Sequence, residues 1–300
     1  MPLEQVIQQS AINIVLHPHP AGAYESLIKK SRRLRIVGRV FGDRWGVFSQ
    51  VYPVSSDGAT GLHGVISTFI KIDNELPWFN TATHDDASDE DLQELLIPEN
   101  LQPNHRKCNF YLDSNTHTLV FDSLTRKGGI TANQMLKFLT NVFNDFRLHT
   151  EFGSVNLTIV NDEDSIKQIL NWSSITSLFI HASRPNVGDY DARDLREFDE
   201  YLQEQGARVL EQRLVAEGNE VISPNEKTKK LAQIASDNGY VTAKGRDPEG
   251  RAVEMSTKDG SPLVETGSFD AEGETYWDAF FRIARNTIAA ATARRRRGPR

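Results

Sequence analysis

Basic side chains gather in a few short stretches of this chain, and dense arginine and lysine are the residues that bind phosphate groups. One stretch ends a short predicted helix, another forms the last residues of the sequence, and the others lie in two predicted hairpin arms. The candidate DNA-binding residues are Lys29, Lys30, Arg32, Arg33, Arg35, Arg126, Lys127, Lys244, Arg246, Arg251, Arg294, Arg295, Arg296 and Arg297. Such stretches are typical of proteins that bind nucleic acids or anionic surfaces.

We expect these cations to contact phosphates and not bases, because no element shows the Arg, Asn and Gln spacing of a groove-reading helix. The clustered positive charge also has a structural explanation. Positive charge at 29–35 also stabilises the negative end of the helix that precedes it. The arginines at 294–297 follow the last predicted helix, as either a flexible binding arm or a solvated terminus.

Histidine and acidic side chains are the candidates for metal binding. His17 and His19 alternate on a strand and face one side, but no third ligand is identifiable from spacing. The acidic group lacks the spacing and the turn glycine of a calcium-binding EF-hand loop. Its members are Asp85, Asp86, Asp89, Glu90, Asp91 and Glu94. We therefore predict neither a metal site nor a cofactor.

Catalytic motifs of recognised spacing are absent from the sequence. Asp122, Glu151 and Asp162 lie near predicted strand ends, without the lysine pairing that a metal-dependent nuclease requires. Cys108 has no accompanying His or Asn pattern, so packing explains it better than nucleophilic chemistry. There is no phosphate-binding Gly-rich loop, no Gly-x-Ser-x-Gly and no Cys-x-x-Cys. We predict no catalytic residue and a protein that is not an enzyme.

The composition is that of a soluble globular protein, with 38% hydrophobic and 25% charged residues. The single cysteine fits a cytoplasmic location, because it excludes an internal disulfide. The net charge of −7 argues against a protein that coats DNA in bulk. It still allows a local basic surface that neutralises phosphates.

The elements that would position these residues include a hairpin followed by a helix, and this pattern occurs twice. The first copy spans 108–146 and the second 240–293. Earlier segments predict strands at 11–16, 35–40, 44–53 and 63–72, and a helix at 24–31. A long polar excursion covers 74–103.

The middle of the chain changes character. Strands at 155–160 and 175–182 enclose a helix that begins near residue 162. A helix over 191–216 has a narrow apolar stripe, as at a packing seam between domains or subunits. Another helix is predicted over 225–237. The fold class is therefore α+β, an antiparallel sheet with hairpin–helix units plus an inserted strand–helix–strand and long-helix domain.

Several motifs resemble those of an uncharacterised prokaryotic family of about 300 residues. They are NIVLHPHP at 13–20, KID at 71–73, PWFN at 77–80, IPENL at 97–101 and NGYVTAKGRD at 238–247. The resemblance implies no chemical activity, because none is established for this family.

Two segments are also similar in order to RexA, the phage exclusion protein of lambda. They are 108–139, where ITAN at 130–133 leads into a helix, and 241–269, with RDPEG at its turn. This resemblance implies a dimeric DNA-binding protein with a globular domain, 1–148 plus 239–300, and an inserted mobile domain, 153–238. It also implies a role in phage exclusion beside a small membrane partner similar to RexB.

The sequence thus predicts a phage defence protein that binds DNA non-specifically as a homodimer. Two alternatives stay open, a metal-dependent nuclease in phage defence and a purely protein-binding subunit.

Overall fold

The computed structural model describes residues 4–17, 20, 22–54, 59–72, 77–93, 98, 100–123, 129–161, 164–185, 193–218, 220–258 and 262–296. For residues 4, 93, 164, 237 and 293–296 only the backbone is described. The helices are α1 Ala23–Arg33, α2 Asp89–Gln93, α3 Ala132–Phe143, α4 Phe146–Phe152, α5 Asp164–Leu170, α6 Arg193–Glu204, α7 Glu226–Asn238 and α8 Tyr276–Arg296. The strands are β1 Glu4–His17, β2 Gly38–Phe41, β3 Arg44–Pro53, β4 Gly61–Ile70, β5 Phe79–Asn80, β6 Asp85–Asp86, β7 Arg106–Asp113, β8 Thr118–Asp122, β9 Ser154–Ile159, β10 Ser174–Ser183, β11 Val209–Val215, β12 Gly239–Arg246, β13 Ala252–Ser256 and β14 Glu265–Asp270. Helices mixed with antiparallel strands confirm the predicted α+β class.

The large sheet is built around β1. In the described residues its strand order is β14-β1-β8-β7-β4-β3-β2, and β9 also pairs with β1. One edge of β1 is shared, because its first half pairs with β14 and its second half with β9. The other edge pairs with β8. The strand predicted at 11–16 is therefore only part of β1.

Helices cover the large sheet on two sides. On one face, α1, α3 and α4 pack through Leu27, Phe138 and Leu148 into a core that also contains Phe48 and Phe110. On the other face, α8 packs through residues such as Phe280 and Ile283. Since β1 lies under both layers, nearly all of its side chains from Ile7 onwards are buried.

The small sheet has the strand order β11-β10-β12-β13. Side chains of α5, α6 and α7, among them Ile169, Leu202 and Ala235, pack with Leu178 and Val241 of the sheet in a separate core. The chain passes from β9 of the large sheet through α5 to β10 of the small sheet. β9 contacts α7, which packs on the small sheet, so the two sheets are neighbours there.

The prediction of one long helix over 191–216 is wrong in its second half. α6 ends at Glu204, and residues 209–215 form β11. The reason is Gly206, whose φ of 61° places it in the left-handed region. The N–H of Ala207 bonds to the carbonyl of Leu202, and that of Gly206 to Gln203, which is the Schellman arrangement that ends a helix. The predicted packing seam therefore does not exist as one helix.

The two predicted hairpin–helix copies differ. β7, β8 and α3 confirm the first. In the second, β12 and β13 form the hairpin, but β14 of the large sheet stands between it and α8. β12 pairs with β10 across the proposed boundary at 238/239. The two-domain division and the mobility of 153–238 stay predictions.

The predicted excursion over 74–103 contains the β5–β6 hairpin and the short helix α2 within its described part. No helix in the described part of the chain is long and apolar enough to cross a membrane.

A buried polar network fastens α8 to the large sheet. The Tyr276 hydroxyl donates to Asp122 Oδ1 at 2.6 Å, and Asn109 donates to Asp122 Oδ2 from its backbone N–H and its side chain. Gln9 Nε2 donates to the Phe280 carbonyl at 2.9 Å. Burial raises the pKa of Asp122 above its ordinary value. Its ionised form therefore depends on these donors.

We predict that Tyr276→Phe lowers the free energy of unfolding by about 2 kcal/mol at pH 7, because a buried carboxylate loses a donor. The Tyr276 hydrogen bond favours ionised Asp122, so this loss should shrink as the pH falls through the raised pKa of Asp122. Because burial raises the pKa of Asp122, its protonated form is favoured in the fold. The stability that this form contributes is present at low pH and is lost as the pH rises through the raised pKa. Urea unfolding between pH 3 and 8 measures both effects. Tyr52→Phe is the control, since Tyr52 is 51% exposed and should change stability by less than about 0.5 kcal/mol.

Candidate functional site

The C-terminal end of α1 has an unusual residue at its left-handed position. The N–H of Ile36 bonds to the carbonyl of Ser31, and that of Arg35 to Arg32, so α1 ends in the same Schellman arrangement as α6. The left-handed residue is Arg35, with φ of 52°, where α6 has Gly206. A side chain at this position costs about 1–2 kcal/mol that glycine avoids. The chain therefore has an arginine at a turn where the backbone conformation favours glycine.

The predicted basic residues at this helix end divide into two groups. Lys29 pairs with Glu25 at 3.2 Å, and Lys30 pairs with Glu151 and lies over the Phe152 ring. Arg32 Nε donates to the Ser49 carbonyl at 3.2 Å.

The side chains of Arg33 and Arg35 are different. Both are exposed, and within the described residues neither forms a hydrogen bond or an ion pair. Of the predicted stretch 29–35, these two arginines are therefore available to an external anion.

Strand β2 extends this basic surface along an edge of the large sheet. Its outward side chains alternate with buried ones, and Arg39 points outward with Phe41, which is 62% exposed. Arg39 Nε donates to the Gly42 carbonyl at 2.6 Å, and this contact leaves the charge of the guanidinium group uncompensated. Val37, just before the strand, is 43% exposed. We call Arg33, Arg35, Val37, Arg39 and Phe41 the α1–β2 surface. Residues 29–44 contain seven cations and one carboxylate, so this region is positive within an acidic protein.

The basic residues of the second hairpin have partners within it, and for Lys244 and Arg251 these partners are carboxylates. Lys244 pairs with Glu254 at 3.0 Å, and an Arg246 nitrogen donates to the Gly250 carbonyl at 2.7 Å. Arg251 binds Asp247, and this hydrogen bond raises the pKa of the arginine. These cations close their own turn, so the structure does not bring them to the α1–β2 surface.

The remaining predicted cations are only partly described. Arg126, Lys127 and Arg297 lie outside the described residues. The backbone of Arg294, Arg295 and Arg296 belongs to α8, which corrects the prediction that the arginines follow the last helix.

Several of the candidate metal and catalytic residues that the structure describes have structural partners. His17 Nε2 lies 3.1 Å from the Arg184 carbonyl, and His19 lies outside the described residues. Glu151 pairs with Lys30, Asp122 is bound as above, and Asp162 is not described. Among the described residues, no three His, Cys, Asp or Glu side chains form a cluster that could hold a metal ion.

The described part of the acidic group lies in β6 and α2, and Cys108 lies in β7. Asp85 and Asp86 lie in β6, Asp89, Glu90 and Asp91 in α2, and Glu94 is not described. Hydrogen bonding from the Ser88 backbone lowers the pKa of Asp91. Cys108 is buried, and burial raises the pKa of its thiol well above the usual range.

A cavity between the two sheets was not foreseen from the sequence. It has a volume of about 240 Å³ and lies where β9 meets the ends of β10 and β12. We call it the inter-sheet cavity. Its lining residues are Leu136, Thr140, Val155, Asn156, Leu157, Thr158, Ile159, Asn161, His181, Ser183, Gly239, Tyr240, Thr257 and Lys258. They come from segments far apart in the chain, so no local spacing could have indicated them.

Side chains of the small sheet form an ordered stack at this cavity. The rings of His181 and Tyr240 stack with centroids 4.8 Å apart, and Lys258 Nζ lies 5.1 Å from the Tyr240 centroid. His181 Nδ1 lies 3.0 Å from Glu211 Oε1. Gly239 lets β12 approach β10 closely, because a Cβ there would lie 1.9 Å from the His181 carbonyl oxygen.

Comparison with known proteins places the chain in a family without assigning it a function. No curated protein matches the chain. A family model described as a domain of unknown function, DUF4747, matches residues 5–285, which is nearly the whole chain. The chain therefore belongs to the DUF4747 family.

Proposed function

We propose that this protein is not an enzyme and binds the phosphate backbone of DNA through the α1–β2 surface. The observation that carries the proposal is Arg35, an exposed arginine without a side-chain partner at a position where glycine would stabilise the fold. A residue kept in a strained conformation marks a candidate functional position.

The chemistry of this surface suits non-specific contact. Arg33 ends α1, Arg35 lies in the turn that follows, and Arg39 belongs to β2. They are close in the chain, within a region where cations outnumber carboxylates. A guanidinium group donates two parallel hydrogen bonds to the oxygens of one phosphate group. Its binding also releases counterions from the DNA. Val37 and Phe41 add apolar contact area beside the charges. No sequence preference is expected, because phosphate contacts carry no direct base information.

Other parts of the predicted function depend on the resemblance to RexA alone. A role in phage exclusion and a small RexB-like membrane partner stay predictions. The homodimer also stays a prediction, but the seam helix that motivated it is shorter than expected. Sedimentation at micromolar concentration measures the oligomeric state directly.

We predict that Arg35→Gly raises the free energy of unfolding by about 1 kcal/mol while it weakens DNA binding. Glycine removes the strain at the left-handed position, and the same change removes one cation. Urea unfolding and fluorescence anisotropy with a labelled duplex measure the two effects. Gly206→Ala is the matched control at the end of α6, where a Cβ meets no atom within 4 Å. It should lose about 1 kcal/mol of stability and leave DNA affinity unchanged. Equal or tighter DNA binding by Arg35→Gly would contradict the proposed role of this arginine.

We also predict that Arg33→Gln with Arg35→Gln weakens binding to all duplex sequences about equally. Each phosphate contact removed should lower the slope of log K against log salt by about 0.9, so the double variant should lose about 1.8. Binding titrations from about 50 to 200 mM salt measure the slope. Arg193→Gln changes the net charge at an exposed site on α6 and should leave the slope unchanged in comparison with wild type.

An unchanged slope and affinity in the double variant would show that DNA is bound elsewhere or not at all. Including magnesium in the same assay tests the nuclease alternative. Cleavage that disappears with one carboxylate variant would overturn the proposal that the protein is not an enzyme.

A further inference from the structure

We propose that the inter-sheet cavity is a binding site for a small organic anion, a molecule with an apolar or planar body and one carboxylate or phosphate group. This site shares no residue with the α1–β2 surface and does not depend on the proposed DNA binding. A cavity of about 240 Å³ is far larger than the roughly 10–15 Å³ that one water molecule requires. It can therefore admit a small molecule.

The charge around the cavity favours an anion. None of the described residues that line it is acidic. Lys258 is exposed at the cavity, and its ammonium lies over the Tyr240 ring. Glu211 meets His181 from the neighbouring strand β11 and is not part of the lining. A ligand carboxylate or phosphate would thus meet Lys258 without facing a carboxylate in the wall.

Hydrogen-bond donors are also available in the wall formed by β9. Asn156 lines the cavity, and its Nδ2 is buried and has no hydrogen-bond partner within the described residues. A buried donor without a partner costs about 1–3 kcal/mol, which an acceptor from a ligand would offset. The terminal torsion of asparagine is broad, so this nitrogen can turn towards a ligand oxygen in the cavity.

The backbone of β9 adds to these donors. Val160 N bonds to the Ala11 carbonyl, so in the β1–β9 ladder Thr158 and Asn156 are the residues that bond to β1. The N–H and C=O groups of Leu157 and Val155 then point away from β1, along an edge where the described residues supply no second strand. This open edge borders the cavity.

The apolar part of a ligand also has a place in the cavity. Leu136 of α3 contributes to the wall with Val155 and Leu157, which pack against the first core of the large sheet. The cavity therefore offers an apolar side and a polar, positively charged side. This combination is typical of small-molecule sites, which orient an apolar ligand with a few polar groups.

Titration calorimetry with matched probes tests the proposal. Benzoate and benzamide share a planar body, as do adenosine monophosphate and adenosine, and within each pair only the first carries the anionic group. We expect at least one anionic probe to bind saturably and its neutral analogue to bind about tenfold more weakly or not at all. Binding of benzoate alone would identify a carboxylate ligand, and binding of adenosine monophosphate alone a phosphate monoester.

Three variants locate the binding. Lys258→Gln should weaken the anionic probe about tenfold, and Lys227→Gln, an exposed lysine on α7, should leave its affinity unchanged. Thr158→Phe, which fills the cavity from β9, should abolish binding of the probe.

Three results would overturn the proposal. One is the lack of saturable binding by both anionic probes up to about 10 mM. The second is an equal effect of the two lysine variants, and the third is unchanged binding by Thr158→Phe.

Discussion

Because β1 is hydrogen-bonded along both edges and covered on both faces, it positions every other layer of the fold. Its first half holds β14, which leads into α8, and its second half holds β9, which leads to the small sheet. Polar side chains of this buried strand also hold a helix in place. Gln9 forms hydrogen bonds with the Phe280 carbonyl and the Thr287 hydroxyl of α8. The arrangement of α8 and of the small sheet thus depends on one strand.

The distribution of charge shows how tertiary contacts select among cations that look equivalent in sequence. Lys29, Lys30 and Arg251 neutralise carboxylates of the protein itself. Arg33 and Arg35 do not, although they are neighbours of the first two. α1 and α6 end in the same hydrogen-bond arrangement, but only α6 has the glycine that this geometry favours. That difference makes Arg35 the residue on which the proposed phosphate-binding surface depends.

The inter-sheet cavity has a different origin. It exists because β9 ends its pairing with β1 close to the ends of β10 and β12, and the close approach of β12 to β10 requires Gly239. Its walls therefore combine the open edge of one sheet with the aromatic stack of another. In this wall the buried Nδ2 of Asn156 has no hydrogen-bond partner among the described residues.

The sequence alone predicted the α+β class, most strands of the large sheet and the first hairpin–helix unit. These features depend on local periodicity and on turn residues, as in the capping box of Thr131 and Gln134 that begins α3. It failed at 209–215, where the alternation of a strand was assigned to a helix and the stop signal of Gly206 was missed. It also identified the basic stretch at 29–35, since charge density is visible in one dimension.

Only the tertiary structure decided which of those cations have partners, that β14 enters the large sheet, and that a cavity lies between the sheets. Ion pairs such as Lys30 with Glu151 join residues more than a hundred positions apart, and β1 pairs with a strand from the other end of the chain. The cavity likewise combines residues from 136 to 258. Such contacts arise from long-range strand pairing, which local spacing in a sequence does not encode.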